Sequence, residues 1–158
     1  MSPEQFSLQK MMGFYISRTA FLMSEGIFKE FEKLGYAITA QDFGILNLLW
    51  ENDGLKHSEI ATYTLRDKTT ITRRIDGLVK KGILERRTDP QDRRISRVYL
   101  SPLGWQIQTK LTDALLNFHL DVLDGISGED IQTTVNTLTK IISNRIDEPT
   151  QRQKKGLK

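Results

Sequence analysis

Residues 66–100, RDKTTITRRIDGLVKKGILERRTDPQDRRISRVYL, constrain the fold of this chain more than any other stretch. Ile71, Ile75, Leu78 and Val79 recur at helical spacing and stop at Lys80-Lys81-Gly82, so a short helix has one apolar face. Two β-prone stretches follow, 83–87 and 96–100, with Pro90 confined to the polar connection 89–94 between them, as an antiparallel hairpin requires. Eleven Lys and Arg lie between Arg66 and Arg97 against five acids, a net of +6, whereas the whole chain carries only +3. The basic tail 148–158 adds +3, so the rest of the chain is acidic. One cationic strip on an acidic body orients a molecule on a polyanion better than uniform charge would.

The flanking sequence reads as helices. Residues 4–34 carry apolar positions including Phe14, Phe21, Leu22, Ile27 and Phe31, and Gly35 follows as a C-terminal stop. Thr39 is a candidate N-cap for a helix over 40–52, and Asn52-Asp53-Gly54 ends it. A short helix over 58–64, capped by Ser58, precedes the helix over 68–81, which Asp67 caps. Ser101 caps a long helix that starts at Pro102, with Leu103, Ile107, Leu111, Leu115, Phe118 and Val122 along one stripe. A last helix covers about 128–146 with Ile131, Val135, Leu138 and Ile142. The expected fold is mainly α with a small β-wing: six helices, with a winged helix-turn-helix in the middle of the order.

At 158 residues the chain is expected to form a single domain over 1–147, followed by a flexible basic tail, 148–158. No apolar run approaches the roughly 18 residues of a membrane span, and no secretory leader is recognisable, which points to the cytoplasm and away from a membrane. With no cysteine, thiolate metal sites and thiol redox sensing are excluded. His57 and His119 are isolated and there is no Gly-rich phosphate loop, so neither a metal site, a cofactor nor an enzyme is expected.

With its apolar set turned to the body, the helix over 68–81 leaves Lys68, Thr69, Thr70, Thr72, Arg73 and Arg74 for other faces. Arginines can address guanine edges or phosphates, and threonines a phosphate or a thymine methyl. At the hairpin tip, Arg93 and Arg94 suit a narrow minor groove. Asp89 and Asp92 repel phosphate, so they are expected to cap the turn or hold an arginine. A solvated helix face and a charged hairpin tip are the ordinary fates of such residues. Their coincidence in one helix-plus-ribbon unit favours double-stranded DNA. The alternative is a winged-helix protein-interaction module without DNA binding, which would want a neutral or apolar recognition face.

The run KTTITRRIDGLVKKGILERRTDPQDRRISRVYLSPLG resembles the MarR (multiple antibiotic resistance regulator) transcription factors, on Thr69 to Arg73, Asp76, Leu78, Gly82, Arg86, Pro90, Asp92, Arg93, Arg94, Leu100 and Gly104. The resemblance implies a transcriptional regulator, a repressor by expectation. Its Thr69, Thr70, Thr72 and Arg73 would face the major groove, and its Arg94 would enter the minor groove with Asp92 as salt-bridge support. Arg74 departs from the family's usual apolar residue and is expected to be an extra phosphate contact. Gly77 inside the helix costs about 1 kcal/mol relative to Ala.

The resemblance further implies a DNA-binding lobe over about 39–100 and dimerisation helices over about 4–34 and 102–146. A homodimer would suit a palindromic operator with half-sites about 34–36 Å apart. It also implies a small aromatic or anionic effector in a cleft between dimer helices and DNA-binding lobe, with Phe14, Tyr15, Arg18, Phe21, Phe43 and Trp50 as candidate lining.

Overall fold

In the computed structural model, which describes residues 7–146, seven helices surround a three-stranded antiparallel sheet. After a single 3-10 turn, Leu8–Lys10, the elements are α1 (Met12–Lys33), α2 (Ala40–Glu51), β1 (Leu55–Lys56), α3 (His57–Thr64) and α4 (Lys68–Lys80). Then come β2 (Leu84–Thr88), β3 (Ser96–Leu100), α5 (Pro102–Gln106), α6 (Gln108–Val122) and α7 (Gly128–Ser143). This is the mainly helical winged helix-turn-helix that the sequence pattern predicts. The tail 148–158 lies outside the described residues, and no described helix is long and apolar enough to cross a membrane.

The helix ends follow from local chemistry. Thr39 caps α2 through its Oγ1, which accepts the Asp42 N–H at 3.1 Å, while Asp42 accepts the Thr39 N–H at 3.0 Å. Gly35 lets α1 stop: its φ of +86° allows the Tyr36 N–H to reach back to Phe31 O (3.0 Å) and its own N–H to Glu32 O (2.9 Å). Gly82, at φ +72°, ends α4 the same way, with Ile83 N–H on Leu78 O and Gly82 N–H on Val79 O. The α3–α4 turn uses this bond pattern without a glycine: Leu65 takes the left-handed conformation at φ +55°.

Three details correct the sequence reading. Ser58 does not cap α3; the helix begins at His57, and Glu59 secures its start by accepting the Lys56 N–H at 2.7 Å. A third strand, β1, pairs with β3 through Leu55↔Val98 and Lys56↔Arg97; two residues are too short for periodicity to reveal. The expected long helix from Pro102 is divided at Ile107, so the helices number seven rather than six. Gly104 O, the acceptor that Gln108 N–H would use in an unbroken helix, takes the Trp50 indole N–H at 3.0 Å.

One continuous core joins these elements. Phe31, Ile38, Ile45, Leu46, Leu49, Ile60, Ile71, Ile75, Val98, Ile107 and Leu111 are fully or almost fully buried; α4 packs on α3 and β2, β3 on α2, and α1 on α6 and α2. Helix α7 contributes no buried residue: Val135 and Ile142 are each 50% exposed despite lying on its apolar face. Leu116 and Leu120 of α6, and Ile16, Phe21 and Leu22 of α1, are exposed as well.

Candidate nucleic-acid interface

Helix α4 is anchored at both ends of its apolar face. Ile71, Ile75 and Leu78 are buried, which turns Lys68, Thr69, Thr72 and Arg73 outward. Asp67 caps the helix by accepting the Thr70 N–H at 2.8 Å on one oxygen and the Thr70 hydroxyl at 2.6 Å on the other. Those two bonds, the hydroxyl first, hold the Asp67 carboxyl below the usual carboxylate range. Thr70 is therefore partly buried and its hydroxyl proton is committed to the cap.

Arg74 is not the free phosphate contact that the sequence suggests. Its Nη1 donates to Asp42 Oδ1 and Thr39 Oγ1, both at 3.1 Å, and so fastens α4 to the N-terminus of α2. Lys81 donates to Ala37 O beside it. Between these elements lies a cavity of about 330 Å³ lined by Asp42, Thr70, Arg73, Arg74, Gly77, Leu78 and Lys81. At the far side of α4, Arg86 of β2 pairs with Asp76 and lies 3.5 Å from His57 Nε2. Burial, then the Arg86 charge, push the His57 pKa below its ordinary 6.5, against a hydrogen bond with the Ser96 backbone and the Asp76 charge.

The wing is a ladder of five residue pairs from Leu84↔Leu100 to Thr88↔Ser96. Leu84, Val98 and Leu100 face the core, whereas Arg87 and Arg97 stand directly opposite each other on the other face. Like charges so placed repel, but each arginine has its own partner. Arg87 donates to Glu85 at 3.0 Å and lies 4.6 Å from the centre of the Tyr99 ring. Arg97 pairs with Asp89 and donates through Nη1 to Gly54 O at 2.9 Å. The Arg97 bond, followed by the Gln91 N–H, holds the Asp89 carboxyl below its usual range; Asp89 in turn raises Arg97.

Asp92 also differs from expectation. Its carboxylate accepts the backbone N–H of Arg94 at 2.9 Å, and no ion pair joins the two side chains. It braces the arginine through the main chain rather than through the guanidinium. Among the described residues the side chains of Lys68, Arg73, Arg93 and Arg94 have neither a hydrogen bond nor an ion pair, and all four residues are exposed. Unpaired cations are thus present both on the outer face of α4 and at the wing tip. The sequence reading passed over the Asp76–Arg86 and Asp89–Arg97 pairs; opposite charges ten and eight positions apart across a turn were the available signal.

The six candidate effector residues fall into separate places. Phe43 is buried in the core, with ring centres 5.5 Å from Phe31 and 5.6 Å from Trp50, and the partly buried Trp50 packs against it with its indole N–H on Gly104 O. Phe14, Tyr15 and Arg18 cluster on α1, with the two rings edge-on at 5.4 Å and the guanidinium 5.4 Å from the Phe14 ring. Phe21 alone of the six lines a second cavity, about 440 Å³, with Ser24, Glu25, Phe28, Thr39 and Gln41. Among the described residues no group of three or more His, Cys, Asp or Glu is placed to hold a metal ion.

Comparison with known proteins agrees with this arrangement. Residues 38–96, from just before α2 to the first residue of β3, match the MarR family. The HTH-type transcriptional regulator YsmB of Bacillus subtilis (strain 168) is 29% identical over 106 residues, which are 67% of this chain and 73% of YsmB. The structure of a MarR-family transcriptional regulator from Silicibacter pomeroyi aligns with a TM-score of 0.70 at 26% identity, covering 94% of this chain and 99% of that one. The fold is also that of CouR. CouR from Rhodococcus jostii RHA1 has been solved with p-coumaroyl-CoA (TM-score 0.73, 22% identity, 90% of this chain and 99% of that one). It has also been solved on a 23-mer DNA duplex (0.74, 23%, 86% and 94%). Its winged helix-turn-helix is thus similar in sequence to the MarR family over residues 38–96, and its fold is similar to that of a MarR-family transcriptional regulator over most of its length.

Proposed function

We propose that this chain is a cytoplasmic repressor that binds a palindromic DNA operator as a homodimer and is released by a small molecule. The observation that carries the reading is the set of exposed, unpaired cations Lys68 and Arg73 on α4 and Arg93 and Arg94 on the wing, in a strip where Arg74, Lys81, Arg86, Arg87 and Arg97 are each engaged within the fold. In this reading α4 lies in the major groove, where Thr69, Thr72 and Arg73 meet base edges and Lys68 a phosphate. Thr70 and Arg74 hold the helix in place, and Arg94 enters the adjacent minor groove with Arg93 on its backbone. The winged-helix lobe, about 39–100, does the reading, and the helices on either side of it in sequence join the two copies.

The dimer is supported by the apolar faces of α1, α6 and α7, which one chain leaves in water. The effector reading is supported by the Phe14–Tyr15–Arg18 cluster and the cavity at Phe21, which offer aromatic faces and a cation on the side that the second copy would approach. CouR, solved with both DNA and p-coumaroyl-CoA, is a structural precedent for the two ligands. In this reading Phe43, which is buried, and Trp50, whose indole is bonded to Gly104 O, support the lobe from within rather than meet the effector. A protein-interaction module is disfavoured, because its recognition face would not carry four unpaired cations. Selection from a pool of randomised duplexes tests the reading: an enriched sequence with two-fold symmetry, bound by two chains, is expected. Enrichment of no sequence, or of one without symmetry bound by one chain, contradicts it.

A further inference from the structure

The wing tip is tied to the body of the protein by an unbroken series of hydrogen bonds with Arg97 at its centre. Gly54, in the turn before β1, offers its carbonyl to Arg97 Nη1 at 2.9 Å. Arg97 Nε holds one oxygen of Asp89, which is only 5% exposed. The other oxygen of Asp89 accepts the N–H groups of Gln91 (2.8 Å) and Asp92 (3.1 Å). Asp92 then accepts the Arg94 N–H at 2.9 Å, and the Asp89 N–H to Ile95 O and Ile95 N–H to Asp92 O bonds close the loop.

Two consequences follow for Arg94. Its backbone position is set relative to the sheet, which reduces the ordering cost when the guanidinium enters a groove. The negative charge of Asp89, eight positions from Arg97 and inside the tip, is compensated before DNA arrives, so it does not repel the phosphates that flank the groove. We propose that Arg97 is a positioning residue for minor-groove recognition: by joining Asp89 to Gly54 it holds Arg94 where the groove can receive it. This rests on the reading of Arg94 as the groove-entering residue.

The test uses the duplex that the wild-type chain enriches from a randomised pool, and the same duplex with 2,6-diaminopurine replacing adenine in the flanks. The added amino group fills the minor groove of an A·T pair and leaves its major-groove edge unchanged. Wild type should bind the unmodified duplex about ten-fold more tightly, the order expected for one lost base-level contact. Arg94→Ala and Arg97→Ala should each bring that ratio to within about two-fold, the size left when the discriminating contact is gone. The double variant should lose no more than either single variant, as for residues acting as one unit. Asp89→Asn, which keeps an acceptor for the tip N–H groups but removes the ion pair, should fall between, as should Arg97→Lys.

A merely structural role would weaken both duplexes alike and leave the ratio intact. A wild-type ratio in Arg97→Ala, or in Asp89→Asn should the first variant unfold, overturns the positioning role while leaving Arg94 in the groove. A wild-type chain indifferent to the added amino group overturns the minor-groove reading, and this inference with it.

Discussion

Arg74 of α4 places its Nη1 3.1 Å from Asp42 Oδ1 of α2, and the same nitrogen lies 3.1 Å from the Thr39 cap. The bond joins the helix that presents the outward cations to the helix behind it, so neighbouring arginines on one helix have different tasks. Arg74→Ala should lower stability by about 1.5–3 kcal/mol, the range for a hydrogen bond to a charged group, and reduce DNA affinity only modestly. Arg73→Ala should leave the urea midpoint near wild type and weaken operator binding by about 1–3 kcal/mol. Paired urea melts and anisotropy titrations of the two variants check this; a reversed order would assign the two roles the other way round.

Two glycines should respond in opposite senses to alanine. A Cβ at Gly77, inside α4, would meet nothing within 4 Å, so Gly77→Ala should raise stability by about 1 kcal/mol through helix propensity alone. A Cβ at Gly104 would lie 2.4 Å from the Ile83 carbonyl oxygen, a backbone atom that cannot step aside. Gly104→Ala should therefore cost about 1–3 kcal/mol, the usual penalty for overpacking, and loosen the seat of α5 against the wing. Thermal or urea unfolding of both variants, measured at one protein concentration, gives the comparison.

His57 supplies a pH dependence of known sign. Its folded pKa lies below 6.5, so in the window under 6.5 the unfolded chain takes up a proton that the folded chain refuses. Stability is complete above pH 6.5 and falls as pH drops through that window. His57→Gln should flatten this part of the stability–pH curve, and the His57 ring resonances of the wild type should titrate with a midpoint below 6.5 by NMR. A midpoint above 6.5 would contradict the burial and the Arg86 contact given as causes.

The exposed faces of the outer helices predict a dimer that single charges can break. Val135 and Ile142 are half exposed on α7, with Leu116 and Leu120 open on α6. Val135→Asp combined with Ile142→Asp should convert dimers to monomers in sedimentation. The helical signal should be kept, because neither side chain is part of the core of one chain. Unchanged sedimentation would place the dimer contact elsewhere.

Much of this was readable in the residues, for physical reasons that differ by element. Helix ends depend on local bonds, so Thr39, Asp67, Ser101, Gly35 and Gly82 were legible as caps and stops. Leu65 was not, because a left-handed turn is ordinarily announced by glycine. The division of the helix at Ile107 depends on Trp50, more than fifty residues away, and strand β1 exists only because β3 lies beside it. The same holds for the site. Lys68, Arg73 and Arg94 could be named from spacing and charge, but whether an arginine is unpaired is decided by tertiary neighbours. The Arg74 bond to Asp42, the Arg97 bond to Asp89 and the packing of Phe43 and Trp50 against the core all depend on such neighbours.

The central claim is that the unpaired cations of α4 and the wing meet DNA phosphates and grooves, and the dependence of affinity on salt measures it most directly. Titrating the selected duplex at several salt concentrations should give log K falling linearly with log salt, with a slope of about −4 or steeper for two α4–wing units. Arg94→Ala should make that slope shallower by about one unit or more. Affinity that does not change with salt, or a slope unaltered by Arg94→Ala, would contradict the account.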